Sequence, residues 1–349
     1  MNRVPAASSW RSGRSPALPY PQSVWPLRLS QLDTRHELFN CLNCTFDLEK
    51  MEPLPHDSAQ MLSKISGADF VPGARCERWE RFIDEIMMGD REVARYLQKL
   101  LGYCLMGDPV EEKFFILFGA TTRNGKSSLL DTISAVMGDY ARAMSPETLA
   151  ELRTHDGSRA TPDIARMAGV RLATVNELPK DMKPNNAMVK SITGRDTITA
   201  RNLYQNNFEY KPQFVLILNT NYLPDITDMT LFTSGRIVVI PFKRHFSENE
   251  QQKNLKHELR SPKALSGVLN WLLEGLKLYR EEGLEPSSTI KAEIAQYQRE
   301  SDTIAKFIEE CIKTAPGKEN YVFMSSVHEA YVLWCADNAY KPEPINRAL

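Results

Sequence analysis

A Gly-Lys-Ser step stands between two apolar stretches of this sequence. Gly125-Lys126-Ser127 comes after Phe114–Phe118 and opens a mainly apolar segment that runs to Val136. This order predicts a buried strand, a tight loop and a helix, which is the context of a phosphate-binding loop. In such a loop, backbone N–H groups and the helix N-terminus point toward phosphate oxygens. The lysine adds a positive charge for the β- and γ-phosphates, and the serine hydroxyl is a ligand for Mg²⁺.

The spacing of this loop departs from the usual motif by one residue. Five residues separate Gly119 from Gly125, where the motif has four, and Ala120 occupies the regular glycine position. Either the loop is one residue longer or Gly119 only ends the strand, and a chance Gly-Lys-Ser in a polar turn is the remaining alternative. We predict that nucleotide phosphates contact Gly119, Ala120, Thr121, Thr122, Arg123, Asn124, Gly125, Lys126, Ser127 and Ser128.

Two further strand-like runs end in polar side chains. Val170–Val175 leads into Asn176-Glu177, and Phe214–Leu218 leads into Asn219-Thr220-Asn221. A carboxylate beside the phosphate loop can hold Mg²⁺ through water or orient the attacking water, so Glu177 is a candidate for both roles. The Asn219 amide can contact that water and the γ-phosphate. The alternatives are a solvent-exposed glutamate and an ordinary turn.

A lone arginine precedes a fourth run, Ile237–Ile240. Arg236 is a candidate for an arginine finger, which would stabilise transition-state charge on the nucleotide of a neighbouring subunit. A surface arginine without a catalytic role is the alternative.

Cations and aromatic rings alternate in the segment before the third strand. Lys190, Arg195, Arg201 and Tyr204 are the candidates for contact with single-stranded DNA. Cations neutralise phosphates and aromatic rings stack on bases, and together they bind single strands without sequence preference. The alternative is a hairpin whose aromatic residues pack against the domain.

The elements that must position these side chains follow an α/β pattern. Alternating apolar strands and helices over residues 114–242 predict a domain whose core sheet is largely parallel. Residues 1–30 contain arginine and proline but no acidic residue, which favours a disordered arm over a transit peptide. The flanking predictions are short strands over 37–56, two helices in 77–106 divided at Gly89-Asp90, and helices over 262–282, 288–313 and 325–339.

The composition excludes several classes of protein. The chain has 349 residues, 42% of them hydrophobic and 25% charged, which excludes a mostly disordered chain. Its formal net charge is -1, so any nucleic-acid site must be a local cluster. No apolar run approaches the roughly 18 residues of a membrane helix, and we therefore expect no membrane partner.

The cysteines indicate a reducing compartment. Six cysteines in a chain of this length are too sparse for a disulfide scaffold. Cys41 and Cys44 lack a second pair of ligands at zinc-like spacing, so we predict two thiols buried in a strand.

Two motifs carry a resemblance to a known family. Within residues 189–201, the stretch 190–201 matches the pattern K-x-x-T-G-x-D-x-I-x-A-R, and residues 236–242 match R-I-x-x-I-P-F. On these motifs the chain resembles the superfamily 3 helicase domain of the phage/plasmid primase family, which is related to poxvirus-type and satellite-phage-type primase-helicases. The resemblance covers roughly residues 37–340.

The resemblance implies a fold and a domain order. The core would be an AAA+-like P-loop NTPase with a mainly parallel sheet, flanked by helical modules. The expected units are an atypical arm over 1–36, a helical N-terminal module over 37–108, the ATPase core over 109–246, a helical lid over 247–285, and a winged-helix-like segment over 286–349 that looks cut short.

The resemblance also implies a role for each candidate residue. Lys126 and Ser127 would bind ATP and Mg²⁺, Glu177 would be the Walker B-type acid that also holds the metal, and Asn219 would be the sensor. Arg236 would act across subunits, which implies a homo-hexameric ring.

The implied activity is that of an ATP-dependent DNA helicase of a phage or plasmid. The segment between Lys190 and Pro212 would form a hairpin in the ring channel that grips single-stranded DNA. A separate primase is an expected partner, and the expected location is the cytoplasm of a bacterial or phage-infected cell. Two alternatives stay open: an ATP-dependent initiator or loader that does not unwind processively, and an inactive prophage remnant that binds nucleotide or DNA.

Overall fold

The computed structural model describes residues 31–150, 161–177, 183–201, 206–226, 228–313, 315–317, 320–340 and 342–343. In this part of the chain the strands are β1 Leu38–Asn40, β2 Thr45–Asp47, β3 Glu52–Leu54, β4 Phe114–Phe118, β5 Ala141–Met144, β6 Leu172–Asn176, β7 Ile198–Ala200, β8 Phe208–Tyr210, β9 Val215–Thr220 and β10 Ile237–Pro241. The α-helices are α1 Glu77–Ile86, α2 Arg91–Tyr103, α3 Lys126–Met137, α4 Pro162–Ala165, α5 Asn186–Thr193, α6 Thr230–Thr233, α7 Leu255–Leu259, α8 Pro262–Glu282, α9 Ser288–Ser301, α10 Thr303–Cys311 and α11 Met324–Asp337.

A five-stranded sheet in the order β10-β4-β9-β6-β5 forms the centre of the fold, and each neighbouring pair is parallel. The inner strands are buried on both faces, which is why they read as nearly continuous apolar runs. The predicted α/β class with a mainly parallel sheet is therefore confirmed. The edge strand β5 escaped prediction because Arg142 and Ala143 are exposed and leave no apolar pattern.

Helices cover both faces of this sheet. Phe115 and Leu117 of β4 belong to one hydrophobic core, which they share with buried residues of α1, α2, α3 and α8. Phe114 and Ile116 point to the other face and belong to a second core, which contains residues of α4, α5, α6 and α9. The alternation along β4 thus builds a three-layer arrangement in which the sheet separates two cores.

The N-terminal helices and the predicted lid pack directly on each other. A Cβ at Gly102 of α2 would lie 2.2 Å from the backbone nitrogen of Leu276 in α8, and one at Gly275 would lie 2.2 Å from the carbonyl oxygen of Gln98. The two helix backbones are therefore in contact, and only glycine fits at these positions. Asp90 caps α2 by accepting hydrogen bonds from the next turn, which explains the predicted division at Gly89-Asp90.

The predicted helix over 288–313 is wrong as a single element. The chain breaks at Asp302, whose side chain accepts a hydrogen bond from the backbone N–H of Ala305 and so caps a new helix, α10. Helix α9 packs against β10, whereas α10 and α11 share a small separate core of Phe307, Tyr331 and Cys335.

Cys41 and Cys44 are free thiols that flank the turn between β1 and β2. Both are buried, and the backbone N–H of Cys41 donates to the carbonyl of Cys44 at 2.8 Å. They lie at the ends of a hairpin turn rather than within a strand, which corrects the predicted position. Across the described ranges, no helix combines the length and apolar composition that a membrane crossing requires.

Candidate functional site

The loop between β4 and α3 begins at Gly119 and ends at Gly125. A Cβ at Gly119 would lie 2.3 Å from Nδ2 of Asn124 and 2.7 Å from the carbonyl of Phe242, so the chain can turn here only at glycine. Gly125 precedes α3 with φ of 88°, a conformation that also favours glycine. Gly119 is thus required where β4 ends and the loop begins.

Lys126 is the first residue of α3 and is 3% exposed. Its Nζ donates to Oδ1 of Asn221 at 2.8 Å and to the carbonyl of Gly119 at 3.3 Å. Burial lowers the pKa of Lys126 to about 8, and the negative charge of Glu177 opposes that shift. An ammonium held by neutral oxygens in a buried loop is a good partner for an anion. The negative charge of a phosphate would stabilise the charged form of the lysine, which burial disfavours.

Glu177 stands just beyond the end of β6 in the left-handed region, with φ of 51°. Its backbone N–H donates to the carbonyl of Asn219 at 2.9 Å, and Nδ2 of Asn219 donates to Oδ1 of Asn176 at 3.1 Å. A non-glycine residue in this conformation costs on the order of 1 kcal/mol or more, and such strain clusters at functional sites. The arrangement turns the chain at the strand end, where the acid and two amides meet.

Three of the predicted residues line a common cavity. Ser127, Glu177 and Asn219 border a space of about 410 Å³, together with Asn176. This cavity offers hydroxyl, carboxylate and amide oxygens, which are the donors that Mg²⁺ prefers. The structure thus brings Glu177 and Asn219, which stand about 50 and 90 residues further along the chain, close to Lys126 and Ser127.

Asn221 is a site residue that the sequence analysis did not select. It lies one residue beyond the end of β9, and it is the amide that contacts Lys126 directly, whereas Asn219 contacts Asn176. The signal was present, since Asn-Thr-Asn offers two amides, but choosing between them needs the side-chain directions at the end of β9.

Asp131 and Lys256 also border the 410 Å³ cavity. Asp131 lies one helical turn after Ser127 on α3 and lines the same cavity. Its Oδ2 accepts from Nζ of Lys256 on α7 at 2.7 Å. The acid could have been found from its four-residue spacing to Ser127, but the lysine could not, because more than a hundred residues separate it from α3.

A larger cavity of about 700 Å³ opens on the other side of the loop. It is bordered by α1, by the loop and α3, and by residues 244–256; the side chains that shape it include Phe82, Arg123, Ser128, Phe246 and Lys256. The backbone N–H of Phe246 donates to the carbonyl of Arg123 at 2.9 Å, which fastens the segment after β10 to the loop. Its volume falls within the range of small-ligand sites, about 300–1,000 Å³.

Arg236 lies at the opposite edge of the sheet. It precedes β10, and its carbonyl accepts from the backbone N–H of Phe114, the first residue of β4, whereas the phosphate loop follows the last. At about 3.3 Å per residue, β4 separates the two edges by roughly 16 Å. The side chain donates to Oε2 of Glu112 at 2.6 Å and to Oγ1 of Thr193 at 2.8 Å. Arg236 therefore cannot reach phosphates bound to the loop of its own chain.

Three of the four candidate DNA-binding residues are described: Lys190 lies on α5, Arg195 lies between α5 and β7, and Arg201 follows β7. Nζ of Lys190 pairs with Asp228 at 2.7 Å, and Arg195 pairs with Asp108. Arg201 follows β7, which pairs with β8 as the predicted hairpin, and Tyr204 lies outside the described residues.

One hairpin aromatic packs inward. The Tyr210 hydroxyl donates to the carbonyl of Ile164 at 2.7 Å, and its pKa is raised by burial. The packing alternative is therefore correct for this ring.

Three family descriptions match successive stretches of the chain. "D5 N terminal like" matches residues 5–88, "Family of unknown function (DUF5906)" matches residues 117–234, and "Poxvirus D5 protein-like" matches residues 299–348. The first match begins within the stretch that the sequence analysis assigned to an atypical arm. The two D5 descriptions enclose the sheet and the loop.

Viral proteins match this chain over longer stretches. A helicase-named protein of Acanthamoeba polyphaga mimivirus is 27% identical over 332 residues, which cover 90% of this chain and 34% of that protein. Primase D5 of fowlpox virus is 27% identical over 174 residues, which cover 47% of this chain and 21% of that protein. Over these stretches the chain is similar to poxvirus-type primase-helicases. This confirms the resemblance that the two sequence motifs indicated.

The chain spans only part of the length of the relatives that it matches. It spans about a third of the mimivirus protein and 25% of a helicase-named protein of frog virus 3, to which it is 29% identical over 250 residues. Its fold is shared with a solved structure, the apo form of the NrS-1 C-terminal region. That likeness has a TM-score of 0.52 at 14% identity and covers 78% of this chain and 77% of the other.

Proposed function

We propose that this chain is the ATP-hydrolysing motor of a viral or mobile-element replication helicase, which moves as a ring along single-stranded DNA. The observation that carries the proposal is the position of Lys126, buried in a glycine loop and bonded to Asn221, with Glu177 and Asn219 at the adjacent strand ends. The helicase and primase names of the relatives support a role in replication.

The residues of the site divide the work of phosphoryl transfer between them. Backbone N–H groups of the loop and the Lys126 ammonium would hold the β- and γ-phosphates. The donors of the 410 Å³ cavity suit Mg²⁺, with Ser127 as a direct ligand and Glu177 acting on the metal through water. Bound Mg²⁺ would neutralise charge that develops on the phosphates. Glu177 and the two amides, Asn219 and Asn221, would orient the attacking water against the γ-phosphate.

A ring explains why Arg236 lies so far from the loop of its own chain. In a head-to-tail ring, one face of each subunit meets a different face of the next, so residues from opposite edges of the sheet come together. Arg236 would then act on the nucleotide of the neighbour, while Lys190, Arg195, Arg201 and Tyr204 face a strand in the channel. Hydrolysis at the interfaces would move these cations along the DNA backbone.

Loss of the Lys126 charge tests the proposal. We expect Lys126→Ala to reduce kcat for ATP by about 100-fold or more, because the phosphates lose their closest fixed cation. Phosphate release is measured with malachite green, with and without poly-dT. Lys277→Ala, at an exposed position of α8, is the control and should retain the turnover of the parent. Equal turnover in parent and Lys126→Ala would refute the assignment.

Strand displacement on forked DNA separates a helicase from a loader. A motor that steps along one strand releases the other with a rate that follows ATP turnover. Full ATPase activity without displacement would instead favour the initiator or loader alternative, and absence of turnover in the parent would favour the inactive remnant.

A further inference from the structure

The Arg236 guanidinium connects two parts of the chain that the proposed motor must coordinate. One of its nitrogens donates to Glu112, in the segment that leads into β4 and the phosphate loop. The other donates to Thr193, the last residue of α5. After four residues, helix α5 is followed by β7 of the hairpin proposed to hold DNA. Arg236 is therefore hydrogen-bonded to the helix that precedes the proposed DNA-binding hairpin.

Thr193 is built into the end of α5. Its side chain is almost fully buried, and its hydroxyl donates to the carbonyl of Val189 at 2.8 Å, so an oxygen lone pair is free to accept from Arg236. The next residue, Gly194, has its Cα close enough to Arg236 that a Cβ there would lie 3.8 Å from Nη1. The position of the guanidinium is thus tied to the position of the helix end.

The ion pair between Arg236 and Glu112 contributes little stabilisation, although its atoms are close together. The carboxylate side chain is 51% exposed, and ion pairs of that kind contribute little because water competes for both charges. A buried hydroxyl bond to a cation keeps more of its strength. Thr193 is thus the firmer of the two partners, and a triphosphate from a neighbouring subunit could displace the weaker one.

We propose that Thr193 is a positioning residue that couples Arg236 to the DNA hairpin. This inference rests on the proposed function, since it assumes that Arg236 meets the nucleotide of a neighbour. When DNA shifts α5 and β7, the hydroxyl carries the guanidinium with it toward that nucleotide. Because coupling between two binding events is reciprocal, nucleotide binding at the neighbour changes the position of the hairpin in turn. Thr193 itself touches neither ligand.

The test replaces the hydroxyl by a methyl group of similar size. Thr193→Val removes the acceptor for Arg236, whereas Thr193→Ser keeps it, and thermal melting followed by circular dichroism establishes that both variants fold. We measure kcat for ATP with and without poly-dT in the parent and both variants. We expect the ratio of the two rates to fall about tenfold or to unity in Thr193→Val, with turnover in the absence of DNA retained. Thr193→Ser should restore most of the ratio.

A second variant examines the other contact. Glu112→Gln removes the carboxylate charge that pairs with Arg236 but leaves the Thr193 hydroxyl in place. Stimulation of ATP turnover by DNA should therefore persist, and turnover at low protein concentration should not decrease. A ratio equal to that of the parent in Thr193→Val overturns the coupling role. So does loss of turnover in the absence of DNA, since that would place Thr193 in the chemical step.

The failure of this inference differs from the failure of the proposed function. If the parent hydrolyses ATP and DNA stimulates it, the motor stands, and only the response of Thr193→Val decides the coupling. If the parent shows no stimulation by DNA, the motor itself is contradicted and the coupling with it.

Discussion

The charge of Lys126 is the residue-scale property on which the proposed nucleotide binding depends. Burial lowers the pKa of Lys126 to about 8, so the ammonium begins to lose its proton in mildly alkaline solution when no nucleotide is bound. A triphosphate favours the charged form. Binding above this pH must therefore take up a proton, and the affinity should decrease as the pH rises, by up to about tenfold per pH unit.

This pH dependence is measured by titrating the protein with a fluorescent ATP analogue between pH 7 and pH 9.5. Lys126→Arg is the matched control, because a guanidinium keeps its charge over this range and its affinity should be independent of pH. A parent affinity that is constant from pH 7 to pH 9.5 would show that another group dominates binding.

The strand, loop and helix around Lys126 were predicted from the sequence because their signals are local. Gly125, Lys126 and Ser127 are adjacent, and the strand and helix around them follow from apolar spacing alone. The choice between Asn219 and Asn221 could not be made in the same way. It depends on which amide at the end of β9 points to the lysine, and that direction is set by tertiary packing.

At the scale of elements, the contact between α2 and α8 has a measurable consequence. We expect Gly275→Ala to lower the free energy of unfolding by about 1–3 kcal/mol, because its Cβ would collide with the carbonyl oxygen of Gln98 and the two helices would have to separate. The measurement is urea denaturation followed by circular dichroism. Lys277→Ala on the same helix should change the midpoint little, since that side chain is exposed. Equal midpoints for the two variants would contradict direct backbone contact.

Elements with clear end signals were predicted accurately. Helix α8 ends before Gly283, as predicted, and α1 and α2 divide at Gly89-Asp90. The break at Asp302 was missed because apolar spacing continues across it and neither glycine nor proline marks it. The hydrogen bond from Ala305 shows that Asp302 starts a new helix. Aspartate is a common N-cap residue, so a signal was present in the sequence, but the continuous apolar spacing outweighed it.

At the scale of the whole molecule, the order of the strands determines which residues can meet. Parallel strands place the phosphate loop, Glu177 and Asn219 at their carboxyl ends, and Arg236 at the amino end of β10. The order of these residues along the chain can be read from the sequence. Their positions relative to one another in the sheet cannot, because strand order depends on long-range pairing. The separation of Arg236 from its own loop therefore came from the structure, and it favours action across subunits.

Mixing two inactive variants tests that action. In a ring, each site needs Lys126 from one subunit and Arg236 from the next, so Lys126→Ala and Arg236→Ala should each have little DNA-stimulated turnover alone. When the two are mixed in equal amounts and allowed to exchange subunits, about a quarter of the interfaces pair an intact lysine with an intact arginine. Turnover should then recover to about that fraction of the parent rate.

If Arg236 instead acted within its own chain, no subunit in the mixture would have both groups, and turnover would stay at the level of the separate variants. The assay needs assembled rings, so mass photometry with a non-hydrolysable ATP analogue and poly-dT should first detect oligomers of each variant. The roughly 16 Å between Arg236 and its own loop makes recovery in the mixture the expected result. Recovery would establish that each catalytic site is shared, because neither variant can complete one alone.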